Sequence, residues 1–61
     1  MKYLETVELK SYKGFGLSKG WYCDEDGNRK GGIFYLVDDG DDYIGEEYPT
    51  LDAAKRYIDS L

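Results

Sequence analysis

Histidine is absent from this chain, and cysteine and proline occur once each, as Cys23 and Pro49. One cysteine rules out an internal disulfide, a multi-cysteine zinc site and a two-cysteine redox motif, and it fits a reducing compartment. Without histidine, and with no base beside Cys23 in sequence, nucleophilic and general-base catalysis have almost nothing to use. No apolar run approaches the length of a membrane span, and Met1-Lys2-Tyr3-Leu4-Glu5-Thr6 lacks the hydrophobic stretch of a secretory signal. A cytoplasmic, non-membrane protein is therefore expected.

What is present is compact. Sixty-one residues make one domain, 1–61, close to the size below which chains usually need a disulfide, a metal or a partner. Seven tyrosines, two phenylalanines and a tryptophan supply large side chains for a small core. The net charge of −5 is uneven: residues 1–23 carry +2, whereas residues 31–54 hold seven acids and no base. Such a segment repels nucleic-acid phosphate and attracts basic protein surfaces.

The clearest local signal is Ile33-Phe34-Tyr35-Leu36-Val37, followed by Asp38-Asp39-Gly40-Asp41-Asp42 and then Tyr43-Ile44-Gly45-Glu46-Glu47-Tyr48. β-branched and aromatic runs flanking Asp39-Gly40 predict an antiparallel hairpin turning at those two residues. Strict alternation would place Ile44, Glu46 and Tyr48 on one face, so a bulge is expected at Gly45, releasing Glu46 to water. Next, Thr50 is a natural N-cap, Asp52 suits the first turn, and Leu51, Ala54, Ile58 and Leu61 form one apolar stripe. A C-terminal helix of about three turns, packed on the sheet, follows from that pattern.

The first half yields one or two strands, with Val7 and Leu9, then Phe15 and Leu17, alternating with other residues, and Gly14, Gly16 and Gly20 marking bends. Residues 24–32 read as a loop. The expected class is α+β, a small antiparallel sheet of three or four strands against one C-terminal helix, in the order β-β-β-α.

Residues 43–59 resemble the strand-to-helix end of the three-strand-plus-helix DNA-binding domains of plant ethylene-response factors and integrase N-terminal domains, and short phage and prophage proteins share the pattern. Tyr12-Lys13-Gly14-Phe15 is similar to the opening of their first strand. The resemblance implies a fold, and it rests mainly on the strand-to-helix junction. In those families the sheet reads DNA with Arg and Trp, whereas the matching hairpin here carries Asp38, Asp39, Asp41, Asp42, Glu46 and Glu47.

Neither acidic stretch has EF-hand spacing: Gly27 falls fourth from Asp24, and Gly40 third from Asp38. No metal and no cofactor is expected. Gly14-Phe15-Gly16 lacks the Gly-Lys-Ser/Thr of a phosphate loop. Aromatics beside acids suit a protein interface, because Tyr and Trp give rigid contact area and carboxylates pair with partner Arg and Lys. The expected partner is thus a protein with a basic surface, met by Asp38, Asp39, Asp41, Asp42, Glu46, Glu47, Tyr43, Trp21 and Tyr22. The chain is then expected to be a non-enzymatic acidic inhibitor of phage or mobile-element type, mimicking nucleic acid at a basic site of a host defence or nucleic-acid-processing protein. A monomer or homodimer is expected. The competing expectations are an integrase-type DNA-binding accessory domain using Lys10, Lys13 and Lys19, and a homo-oligomer built by pairing of an exposed strand edge.

Overall fold

Four strands and a helix follow one another along the chain: β1 (Tyr3–Glu8), β2 (Gly16–Cys23), β3 (Arg29–Asp38), β4 (Tyr43–Tyr48) and α1 (Leu51–Asp59). The structure is a computed structural model that describes residues 2–61. The strands pair in sequence order as an antiparallel meander. The α+β class and the sheet of three or four strands hold: four strands precede the helix, one more than in the order β-β-β-α.

Each turn has a local cause. Between β1 and β2, Tyr12 and Phe15 exchange both backbone hydrogen bonds around Lys13-Gly14, whose φ angles of 52° and 85° are both positive. That is the sign pattern of a type I′ turn, which follows the twist of the flanking strands. Between β3 and β4 the pivot is Gly40-Asp41 and not Asp39-Gly40. The Asp39 N–H donates to the Asp42 carbonyl at 3.1 Å, and only Gly40 has positive φ, at 103°.

The bulge expected in β4 is present. Tyr35 pairs with Tyr48 and Val37 with Ile44, so three residues of β4 span a single residue of β3, with Gly45 at φ 75°. A second difference lies earlier. Residues 29–32, read as loop from their glycines and charges, belong to β3 because Arg29 and Lys30 pair with Cys23 and Tyr22. This stretch has no hydrophobic periodicity of its own, and the ladder to β2 satisfies its backbone. Gly31, at φ 79°, sits in the irregular step of that ladder.

Residues directly opposite each other on antiparallel strands share a face. On one face Leu17, Val37 and Ile44 line up, and α1 packs there against β3 and β4. Leu17, Val37, Ala54 and Ile58 form the buried core, with Leu9, Tyr12, Phe15, Tyr35, Tyr48, Leu51 and Tyr57 packed around it. Tyr48 and Tyr57 stack with centroids 5.6 Å apart. Leu61 does not extend the helical stripe: α1 ends at Asp59, Ser60 caps it, and Leu61 is 64% exposed.

Thr50 caps α1 as expected, its Oγ1 accepting from the Ala53 N–H at 3.1 Å. Thr50→Ala removes this acceptor and should cost about 1 kcal/mol in urea unfolding. Thr50→Asn, which keeps an acceptor, should restore most of the loss.

Candidate functional site

The helix leaves the other face of the sheet open. Register places Leu4, Tyr22 and Lys30 in one row across it, then Thr6, Gly20 and Phe34, then Glu8, Ser18 and Leu36, and finally Gly16, Asp38 and Tyr43. Glycine is needed where this surface is tight. A Cβ on Gly20 would lie 3.0 Å from the Phe34 ring, and one on Gly16 would strike the Asp38 carboxylate. Tyr22 packs its ring on Phe34 with centroids 5.3 Å apart, and its hydroxyl donates to Glu47 at 2.7 Å. That hydrogen bond, with some desolvation, pushes the Tyr22 phenol above its ordinary pKa.

At the acidic end of this face lies an open groove of about 330 Å³. Thr6, Glu8 and Ser18 line one side, and Asp38, Gly40, Asp41, Asp42 and Tyr43 the other. Four carboxylates and no basic side chain line it. The field in the groove is therefore negative, and a guanidinium or ammonium group entering it would find acceptors on both sides.

The four aspartates of the turn do not have one role. One Asp38 carboxylate oxygen accepts from the Gly40 N–H at 3.0 Å. Asp39 accepts from the Asp42 and Asp41 N–H groups at 2.9 and 3.0 Å. These two donors, Asp42 first, hold the Asp39 carboxyl below its ordinary pKa of 3.8. Asp38 and Asp39 thus build the turn as Asx-type acceptors. Asp41 and Asp42 are exposed and make none of these bonds through their side chains, so their carboxylates face solvent.

The expected site residues divide between surfaces. Asp38, Tyr43, Tyr22 and Glu47 belong to the open face. Glu46 is exposed on the bulge of β4. Trp21 stands opposite Glu5, in the row set facing the helix side, so one surface does not hold both Trp21 and Tyr22. Their adjacency on a strand already carries that information, because successive side chains point to opposite faces. Thr6, Glu8 and Ser18 escaped the sequence reading, since only the pairing of β1 with β2 brings them beside the acidic turn.

Lys10, Lys13, Lys19 and Lys55 lie away from the open face, whose one lysine in these rows, Lys30, pairs with Asp24 at 3.5 Å. Lys13 bonds Asp59 at 2.6 Å, across to α1. Lys10 and Lys55 border an apolar cleft of about 380 Å³ whose walls include Leu9, Tyr12, Leu17 and Leu51. The Lys55 ammonium lies 5.4 Å from the Tyr12 ring centroid. Lys19 is half-buried opposite Tyr35, on the helix side.

Three carboxyls, the half-buried Asp24 and the exposed Asp39 and Asp59, are held below 3.8 by hydrogen bonds, from the Asn28 N–H first, the Asp42 N–H first and the Lys13 ammonium first, respectively. A depressed folded-state pKa means that the native protein binds fewer protons than the unfolded chain. Their contribution is therefore complete above about pH 4 and is lost as pH falls through the depressed values. Asp39→Ala should lower the urea midpoint at neutral pH, and the gap from the parent protein should close in strong acid. A gap independent of pH would mean that the Asp39 charge does not hold the turn.

Among the described residues no group of three or more acidic or thiol side chains is placed to hold a metal ion, and no helix is long and apolar enough to cross a membrane. Comparison with protein-family models, with curated proteins and with solved structures finds no match.

Proposed function

We propose that the chain is a non-enzymatic protein-binding domain whose open sheet face receives a basic surface, the acidic groove taking an Arg or Lys side chain of the partner. The observation that carries this reading is the groove itself: Glu8, Asp38, Asp41 and Asp42 line it together with Tyr43, and no base offsets them. Tyr43 is 54% exposed at its rim and offers rigid aromatic contact beside the charges. On a protein whose basic site normally holds nucleic acid, carboxylates so placed would occupy phosphate positions and block it. The direct DNA-binding reading is weaker, because Lys13 is paired with Asp59 and Lys19 sits on the helix side.

The test is an NMR titration with a short arginine-rich peptide and, separately, with duplex DNA. The peptide should shift the amides of Thr6, Ser18, Asp41 and Tyr43, with an affinity that falls as salt rises. Shifts scattered over the whole molecule, or salt-sensitive DNA binding mapped to Lys10, Lys13 and Lys19, would overturn the reading.

A further inference from the structure

The two edges of the sheet differ. β4 is a protected edge, bent by the Gly45 bulge and bearing Glu46 and Glu47. Bulges and charges of this kind keep edge strands from pairing with other chains. β1 has neither glycine nor proline nor any register shift against β2, and all six of its residues are exposed. Tyr3, Leu4 and Val7 are 48%, 46% and 46% exposed. An edge that is regular and unbulged, with Tyr3, Leu4 and Val7 exposed beside Glu5 and Glu8, is open to further pairing.

The backbone fixes which groups are free. The Leu9 N–H donates to the Leu17 carbonyl at 2.8 Å, so Leu9 and Leu17 are a hydrogen-bonded pair in line with the β1–β2 register. Bonded and non-bonded pairs alternate along an antiparallel ladder. Val7, Glu5 and Tyr3 therefore bond to β2, while Leu4, Thr6 and Glu8 turn their N–H and C=O groups outward.

We propose that β1 is a homodimerisation edge, on which two copies pair β1 with β1 antiparallel about a two-fold axis at Glu5, joining two four-stranded sheets into one. An axis perpendicular to the sheet keeps each face on its own side and pairs outward residues with outward residues, which leaves two central registers. Centred on Glu5, Lys2 faces Glu8 twice, Tyr3 faces Val7 twice, Leu4 faces Thr6 twice, and the only like-charge contact is Glu5 with itself. Centred on Thr6, Lys2 faces Lys10 twice and Leu4 faces Glu8. Opposite charges and apolar pairs across strands stabilise and like charges destabilise, so the Glu5 register is selected. α1 packs over β3 and β4, and the β1 side of its face is open to the second copy.

Sedimentation equilibrium of the full chain should show a concentration-dependent dimer. Thr6→Pro removes an outward N–H and spares the bonds to β2, so it should give a folded monomer with the helical circular dichroism of the parent. Glu5→Gln removes the like-charge contact and should tighten the dimer about two- to fivefold, whereas Lys2→Gln, which removes two attractive pairs, should loosen it about two- to thirtyfold. In a Cys23→Ala background, Glu5→Cys should oxidise to a covalent dimer, since a non-bonded antiparallel pair lies within disulfide reach at a Cα separation of about 4.5 Å. A monomer at all concentrations, a folded Thr6→Pro protein that still dimerises, or a dimer indifferent to Glu5→Gln would overturn the proposal. Thr6 and Glu8 belong both to β1 and to the acidic groove, whereas Asp41, Asp42 and Tyr43 lie outside β1, so substitution at those three tests the groove without altering the dimer edge.

Discussion

Ile58→Ala is expected to remove about 2–5 kcal/mol of stability, the range for truncating a buried aliphatic side chain to alanine. Ile58 is 3% exposed and meets Leu17, Val37 and Ala54 in the core. Natural domains hold roughly 0.05–0.15 kcal/mol per residue, so a chain of this length has about 3–9 kcal/mol in all. The substitution should therefore remove a large share of the whole stability. Circular dichroism in urea reads this directly, and an unchanged midpoint would mean that Ile58 does not pack on the sheet. Leu61→Ala is the contrast: at 64% exposure beyond the end of α1, it should change the midpoint little.

That contrast shows where the chain was readable. Leu51, Ala54 and Ile58 repeat at helical spacing behind an N-cap, and local periodicity suffices to place them. Leu61 satisfies the same spacing, but periodicity does not say where a helix stops, and Ser60 ends it first. Gly45 was legible because only a register change keeps Ile44 and Tyr48 inward while Glu46 faces water.

The first half resisted for a physical reason. β1 covers no core, so apart from Val7 at its end its sequence shows little inside-outside alternation to read, with Tyr3, Leu4 and Val7 exposed on both faces. The stretch 29–32 is strand by virtue of its partners Tyr22 and Cys23 and not by its own residues. The type I′ turn at Lys13-Gly14 carries lysine where asparagine or glycine is usual, and Lys13 has the only positive non-glycine φ among the described residues. In the candidate site, the acids of the turn were visible as a charge run. Which of them hold the turn and which are free was not, because that depends on backbone N–H directions at Gly40, Asp41 and Asp42. The contribution of Glu8 and Ser18 is a long-range consequence of strand pairing.

The division among the aspartates decides how the proposed function is best tested. Changing all four would confuse loss of charge with loss of the turn, since Asp38 and Asp39 accept backbone hydrogen bonds there. Asp41→Lys with Asp42→Lys reverses the two free charges, keeps Gly40 as the pivot and leaves β1 untouched. The fold should survive with a urea midpoint close to that of the parent. Exposed ion pairs contribute about 0.2–1 kcal/mol each, and reversal replaces attraction by repulsion of similar size, so two sites should cost about 1–4 kcal/mol of peptide binding. That is a weakening of about five- to several-hundred-fold. Attraction between opposite charges is what salt screens, so the dependence of affinity on ionic strength should flatten with it. Were the doubly reversed protein to bind the arginine-rich peptide with the parent's affinity and salt dependence, the acidic groove would not be the binding surface. The apolar cleft bordered by Lys10 and Lys55 would then be the next place to look.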